Sequence, residues 1–169
     1  MTTISLCMIV RDEEEVLARC LDSAAGIADE IIIVDTGSVD RTMEIAREYT
    51  DQVYSFTWID DFAAARNYAF SLASSEFCMW LDADDVILPE DHSKLLELKN
   101  QLAEVDTVML RYNTAFDAQG RPVFSYWRER IVRNDSRALW LGAVHEVIAP
   151  FGKIIHPDIA ITHRKEKPA

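Results

Sequence analysis

Apolar residues in the first half of the chain follow two alternating patterns. Short, nearly continuous apolar runs are typical of strands covered on both faces, and they predict strands over residues 4–10, 30–34, 53–56 and 77–81. Apolar residues at helical spacing predict helices over residues 13–25, 38–49, 61–73 and 89–103. Ser38 is placed to cap the second helix. This alternation predicts an α/β fold with a doubly wound, mostly parallel sheet.

The pattern changes after residue 106. Four further apolar segments have no helical segment between them, and they predict strands over residues 107–112, 122–133, 139–148 and 153–162. Turn-forming residues separate these segments, so we expect an antiparallel, β-rich C-terminal part. We find no internal repeat and no linker. The pattern therefore predicts one domain over residues 1–169, in which strands alternate with helices over residues 1–106 and strands predominate over residues 107–169.

Composition narrows the class of protein. A chain of 169 residues with 49% hydrophobic and 27% charged residues is typical of a globular domain. The net charge of −12 argues against nucleic-acid binding, because a phosphate backbone needs a basic surface. No apolar run approaches the ~20 residues of a membrane span. The first run is followed at once by the acidic residues 12–15, which is not the pattern of a signal peptide. Three widely spaced cysteines predict reduced core thiols. We expect a cytoplasmic protein, with peripheral association at the inner membrane face left open.

Polar residues follow three of the predicted strands. Residues 11–13, 35–38 and 82–85 each stand where a strand ends. In an open α/β sheet, ligands bind outside the carboxyl ends of the strands. Helix capping explains any one of these groups, but three groups on one edge of a sheet indicate a binding site.

The most informative of these groups contains three carboxylates, Asp82, Asp84 and Asp85. Such a cluster is unfavourable unless a cation lies among the carboxylates, and oxygen ligands suit Mg²⁺ or Mn²⁺. The alternative is a solvated acidic turn before the helix that starts at Pro89. The chain has no glycine-rich phosphate loop, so a bound diphosphate would need a metal ion and arginines to neutralise its charge.

Two further groups combine polar and apolar residues. Arg66 and Asn67 interrupt a helix of small apolar residues. Arg66 is either a functional residue or an arginine whose side chain extends to the surface. His145 and Glu146 lie in an apolar stretch. They are either a buried pair that satisfies itself or a metal ligand beside a general base.

Taken in order, these blocks resemble a known family. Residues 4–14 with 20–23, then 32–42, 62–67 and 80–85, resemble the four N-terminal blocks of family 2 glycosyltransferases, which have the GT-A fold. Residues 144–146 resemble a downstream element of the bacterial branch that shares this kind of opening. The ordered spacing of four blocks is far more specific than the acidic group alone.

The resemblance implies roles for individual residues. The nucleotide of a nucleotide-diphospho-sugar donor, in this family usually UDP, would contact residues of the first two blocks: Val10, Arg11, Glu13 and Asp35. Arg66 would lie near the diphosphate or the sugar. Asp82 would approach the ribose, the sugar or the metal, and Asp84 would hold a divalent metal ion, Mn²⁺ or Mg²⁺.

The family inverts the anomeric centre, so an acceptor hydroxyl must lose a proton as it attacks. We nominate Glu146 as the general base, with His145 as a metal ligand or an orienting neighbour and Asp85 as a rival base. The acceptor is a glycan, a lipid-linked molecule or a peptide. Phe116, Tyr126, Trp127 and Trp140 either stack against sugar rings or belong to the core.

Two other functions compete with this interpretation. A nucleotidyltransferase of similar fold would need a basic triphosphate loop after the first strand, which the acidic residues 12–15 disfavour. A non-catalytic or truncated sugar-nucleotide-binding domain is the main alternative, because related chains generally continue beyond residue 165. A catalytic glycosyltransferase and a non-catalytic binding domain differ in one expectation: in the catalytic protein, His145 and Glu146 face the Asp84 site. Pairing of the strands after Asp106 across a homodimer is also left open.

Overall fold

The computed structural model describes residues 2–165. Within this range the helices are α1 (Leu17–Ser23), α2 (Thr42–Arg47), α3 (Phe62–Ser71) and α4 (Pro89–Lys99). The strands are β1 (Ile4–Val10), β2 (Glu30–Asp35), β3 (Val53–Ser55), β4 (Phe77–Trp80), β5 (Asp85–Val86), β6 (Thr107–Phe116), β7 (Pro122–Arg133), β8 (Trp140–Leu141), β9 (Val147–Ile148), β10 (Ile154–Ile155) and β11 (Ala160–His163).

The N-terminal strands form the parallel part of one large sheet. Its order is β3-β2-β1-β4-β7-β6-β11-β5, and β3, β2, β1 and β4 are mutually parallel. Val10 pairs with Asp35, so β1 and β2 end at the same level and present the residues that follow them to one edge. The predicted α/β architecture with a mostly parallel N-terminal sheet is confirmed.

The C-terminal strands are only partly antiparallel. β7 is antiparallel to both β4 and β6, and β8 pairs with β9 as a separate antiparallel hairpin. Contrary to the prediction, β10 and β11 pair with β6 in parallel. The strand predicted over residues 139–148 is also wrong in its middle. Gly142 (φ 101°) and His145 (φ 58°) have left-handed backbone conformations, which break the strand into β8 and β9.

Two helices begin later than predicted. α2 begins at Thr42, and Ser38 is not its cap, because the Ser38 hydroxyl instead accepts a hydrogen bond from the backbone N–H of Asp12. α1 begins at Leu17 because the residues before it form a turn. α3 begins as expected, with the Asp61 carboxylate accepting from the N–H of Ala64 as an N-cap.

Alternate residues of β1 enter two cores on opposite faces of the sheet. Leu6 and Met8 pack with α1, whereas Cys7 packs with residues of α3 such as Phe70. Burial on both faces explains why β1 is apolar along nearly its whole length. The three cysteines are buried and form no disulfide bond. In the described part of the chain, no helix combines the length and apolar character needed to cross a bilayer.

Candidate active site

A cleft of about 530 Å³ crosses the carboxyl ends of β1, β2 and β4. Its walls include seven of the residues nominated from the sequence: Val10, Arg11, Glu13, Arg66, Asp82, Asp84 and Glu146. Thr36, Trp58, Phe62 and His163 also line it. The fold therefore brings together residues from five separate blocks of sequence at the edge where ligands bind in open α/β sheets.

Arg66 organises the centre of this cleft. Its Nη2 lies 2.8 Å from Asp82 Oδ1, and its Nε lies 2.9 Å from Glu146 Oε1. The guanidinium is nearly buried, and its carbon lies 4.8 Å and 4.9 Å from the ring centroids of Trp80 and Trp140. Arg66 thus does not extend to the surface. It holds two carboxylates from distant parts of the chain on either side of one cation.

Asp84 and His163 form a potential metal-binding group beside this cation. One ligand atom each from Asp84, Asp85 and His163 lie within 4.8 Å of one another, and His163 Nδ1 is 3.5 Å from Asp84 Oδ1. Burial, together with the charges of Asp85 and Asp82, raises the pKa of the Asp84 carboxyl. Interaction with Asp85, and then the charge of Asp84, raises the pKa of the His163 imidazole. Burial and the neighbouring carboxylates therefore disfavour the charged form of Asp84, whereas the carboxylates favour the charged form of His163.

Asp85 is buried below this group and is committed to other partners. Its Oδ2 lies 3.0 Å from Arg130 Nη1, and Tyr112 donates its hydroxyl hydrogen to Oδ1 at 2.6 Å. Although burial alone would raise the pKa of Asp85, the charge of Arg130 and hydrogen bonds from His163, Tyr112 and the Asp82 backbone lower it to about 2. Because Asp85 does not line the cleft, its nomination as a rival base does not fit the structure.

A β-bulge aims Arg130 at Asp85. Val108 pairs with Ile131 and the next residue, Met109, pairs with Glu129, so Arg130 is the extra residue on β7. A bulge of this kind redirects a side chain that would otherwise follow the alternation of the strand. Here it turns Arg130 into the interior, where its side chain is completely buried.

Glu13 forms the acidic wall at the end of β1. Its backbone N–H donates to the Thr42 hydroxyl at 2.7 Å, which ties this segment to α2. Partial burial and the nearby charges of Asp84 and Asp82 raise the pKa of the Glu13 carboxyl to about 7. The carboxylates around the cleft therefore repel one another in the absence of a counter-charge.

Asp35 lies at the end of β2, directly before the cleft residue Thr36, and is buried without itself lining the cleft. Its Oδ1 accepts hydrogen bonds from the N–H groups of Gly37 and Ser38, both at 2.8 Å. Its Oδ2 is buried and has no hydrogen-bond partner among residues 2–165. A buried carboxylate oxygen without a donor is costly, so this atom suits a donor supplied by a ligand.

The two residues nominated from the downstream block separate in the structure. Glu146 lines the cleft, but His145 is exposed and does not. The prediction that His145 is a metal ligand therefore does not fit. His163, which we did not nominate from the sequence, lines the cleft beside Asp84, where we expected a histidine ligand of the metal ion. The signal for it was the apolar run of residues 159–161, which predicts a strand whose carboxyl end carries this histidine.

The aromatic residues that could stack against sugars or belong to the core differ in their exposure. Trp140 is 1% exposed and packs edge-on against Phe70 and Trp80, so it belongs to the core. Tyr126 and Trp127 are 41% and 40% exposed on the β6–β7 hairpin.

Comparison with protein families finds a match over most of the chain. The model of the family described as glycosyl transferase family 2 matches residues 5–160. The chain belongs to glycosyl transferase family 2. The matched range contains the four N-terminal blocks apart from residue 4, as well as the Glu146 segment, but it ends before His163.

Two relatives of the chain are considerably longer than it is. A TPR repeat-containing protein of Synechococcus elongatus is 43% identical over 114 residues, which are 68% of this chain and 28% of that protein. The SPbeta prophage-derived glycosyltransferase SunS of Bacillus subtilis is 29% identical over 148 residues, which are 85% of this chain and 34% of that protein. The chain thus spans about a third of the length of these relatives.

Solved structures establish the GT-A fold for this family 2 chain. S. aureus TarS in complex with UDP-GlcNAc superimposes with a TM-score of 0.69 at 16% identity, over 99% of this chain and 60% of that one. Glucosyl-3-phosphoglycerate synthase of Mycobacterium tuberculosis, in complex with Mn²⁺, UDP-glucose and phosphoglyceric acid, gives a TM-score of 0.55 at 21% identity, over 66% and 44% of the two chains. At these identities the likeness concerns the fold alone.

Proposed function

We propose that this chain is the donor-binding and catalytic unit of an inverting glycosyltransferase that uses a UDP-sugar and a divalent metal ion. The observation that carries the proposal is the arrangement around Arg66, which holds Asp82 and Glu146 in one cleft beside Asp84 and His163. Membership of family 2 supports the reaction class. The UDP-sugars in the TarS and mycobacterial structures support the donor class.

Asp35 would recognise the nucleobase. Its Oδ2 accepts no hydrogen bond from the described residues, and the imide N–H of uracil would supply a donor. Cytosine has an unprotonated ring nitrogen at that position and would face the carboxylate with a lone pair. We therefore infer a preference for UDP over CDP. The segment from Val10 to Glu13 would line the rest of the nucleotide pocket.

The residues present fit a divalent cation. Asp84 and His163 offer an oxygen and a nitrogen at the cleft wall, a donor set that suits Mn²⁺ and also accommodates Mg²⁺. Burial, and then the charges of Asp85 and Asp82, raise the pKa of the Asp84 carboxyl, and a bound cation would stabilise its charged form. We assign Asp84 and His163 as the ligands and Asp82, whose Oδ1 pairs with Arg66, to the sugar or ribose. The ion would neutralise charge on the diphosphate leaving group.

Glu146 would act as the general base. As the acceptor oxygen bonds to the anomeric carbon, the bond from that carbon to the diphosphate breaks, UDP leaves, and the hydroxyl proton moves to Glu146. Arg66 orients the carboxylate for this transfer through its contact with Oε1. We propose that residues 1–106 supply most of the donor side of the site, and that residues 107–169 supply the acceptor side together with the metal ligand His163.

A turnover assay separates catalysis from binding. The wild-type chain, incubated with UDP-GlcNAc or UDP-glucose and Mn²⁺, is expected to release UDP slowly, because water can replace the acceptor. Glu146→Gln is expected to remove this release while the affinity for UDP is retained. UDP binding without release from either sugar by the wild type would favour the non-catalytic sugar-nucleotide-binding domain.

A further inference from the structure

The β6–β7 hairpin carries exposed aromatic rings that the donor site does not use. Phe124 is 58% exposed and Tyr126 is 41% exposed, and the two ring centroids are 5.9 Å apart. Single exposed apolar residues are common, but contiguous exposed rings mark binding surfaces.

These rings are continuous with the candidate metal-binding group. The ring of His163, which lines the cleft, lies 5.6 Å from that of Tyr112, and the ring of Tyr112 lies 5.7 Å from that of Tyr126. Phe124 follows at the outer end. A row of four rings therefore leads from the wall of the cleft to the outer part of the hairpin.

A second connection joins the same face of β7 to the proposed base. Side chains two residues apart leave a strand on the same face, so Arg128 leaves β7 beside Tyr126 and Phe124. Its guanidinium then turns toward the cleft, where it pairs with Glu129 Oε1 at 2.9 Å and lies 4.8 Å from the ring centroid of Trp80. The Arg128 guanidinium donates to the backbone carbonyl of Glu146 at 3.2 Å. The exposed rings thus continue outward from the side of the cleft where an acceptor hydroxyl would meet Glu146.

We propose that this surface, defined by Phe124, Tyr126 and Arg128 and called the aromatic face below, binds a saccharide acceptor. The inference rests on the proposed function and names its acceptor class. Pyranose rings present C–H surfaces that stack on aromatic rings, whereas an extended peptide would add to a strand edge. At ~3.3 Å per residue, the Cα of Phe124 is about 13 Å from that of Arg128. This length suits a short oligosaccharide better than a single sugar.

Saturation-transfer NMR with cellotetraose, maltotetraose and chitotetraose, in the presence of UDP and Mg²⁺, tests the proposal. The double variant Phe124→Ala/Tyr126→Ala removes the rings. Val123→Ala is the matched control, since Val123 is 63% exposed on the opposite face of the same strand. We expect at least one tetrasaccharide to bind the wild type and the control. The double variant is expected to bind it roughly tenfold more weakly and to keep its UDP–Mg²⁺ affinity within about twofold.

The outcomes separate this inference from the proposed function. If the wild type binds UDP–Mg²⁺ but no tetrasaccharide, or if the double variant binds as well as the wild type, the aromatic face is not an acceptor site. If sedimentation velocity shows that the wild type self-associates and the double variant does not, the face joins two copies and the proposal is overturned. Absence of UDP–Mg²⁺ binding by the wild type would instead overturn the proposed function, and this inference with it.

Discussion

Arg130 and Asp85 form an ion pair in which neither side chain is accessible to solvent, with 3.0 Å between Nη1 and Oδ2. The same Oδ2 accepts the backbone N–H of Asp82 at 2.8 Å. The pair therefore anchors the turn between β4 and β5, which presents Asp82 and Asp84 to the cleft. Asp85 thus holds the acidic turn in place, although its position in the sequence suggests a carboxylate that binds a ligand.

Removing the charge of Asp85 is expected to destabilise the fold. Asp85→Asn leaves the buried Arg130 charge without its partner and should lower the free energy of unfolding by about 3–5 kcal/mol. Urea denaturation measures the change. The double variant Asp85→Asn/Arg130→Met should lose less than the sum of the two single variants, because it leaves no unpaired charge. Additive losses would show that the two side chains do not interact.

Glu13 is expected to make stability depend on pH. Its pKa in the fold is about 7, above the ordinary value of 4.5, so the folded chain holds this proton more tightly than the unfolded chain. Its contribution to the free energy of unfolding should therefore fall as the pH rises from about 4.5 to about 7. In EDTA, Glu13→Gln should be more stable than wild type above pH 7 and equal to it below pH 4.5.

The exposed Glu48, near the C-terminal end of α2, offers a control for the Glu13 experiment. Glu48→Gln should leave the dependence of unfolding on pH close to that of the wild type. A Glu13→Gln curve that runs parallel to the wild-type curve over the whole range would mean that the carboxylates of the cleft do not act on Glu13.

The two histidines nearest the site should differ in their effect on metal binding. Loss of an outer partner of a metal ligand weakens metal binding by roughly tenfold or more, and loss of a ligand should cost at least as much. Isothermal titration of Mn²⁺ in the presence of UDP should show that loss for His163→Ala. His145→Ala, a change at an exposed position, should match the wild type. The reverse result would restore His145 as the ligand and remove His163.

Asp35 should control the choice of nucleobase. Hydrogen bonds to charged groups contribute about 1.5–3 kcal/mol, so Asp35→Asn should weaken UDP binding by about tenfold or more. CDP binding should not weaken, because an amide N–H can face the ring nitrogen of cytosine. The exposed Asp51 provides a control, and Asp51→Asn should leave both affinities unchanged. Equal losses for UDP and CDP would place Asp35 away from the base.

The parallel half of the fold could be predicted because its signals are local. β1 is nearly continuously apolar since Leu6 and Cys7 enter cores on opposite faces of the sheet, and this burial is visible in the sequence. Residues at the ends of parallel strands meet at one edge by necessity. The positions of Val10, Asp82 and Asp84 in one cleft follow from that rule.

The rest of the site depends on pairings that no local pattern encodes. His163 reaches the acidic turn because β11 pairs antiparallel with β5 and sets His163 opposite Asp85. Asp85 is structural because it contacts Arg130, which a bulge redirects, and Tyr112 of β6, and neither contact can be read from the acidic turn itself. The exposed position of His145 follows from a turn inside a segment whose apolar residues predict a strand.

Thermal unfolding with UDP, in the presence of Mn²⁺ or of EDTA, tests most directly whether the cleft is a metal-dependent donor site. A ligand at 100 times its dissociation constant stabilises a protein by about 2.7 kcal/mol, which such a scan detects. We predict that UDP raises the unfolding temperature with Mn²⁺ and not with EDTA, and that Asp84→Asn loses the effect. An equal shift in EDTA, or in Asp84→Asn, would contradict a site built around Asp84 and a metal ion.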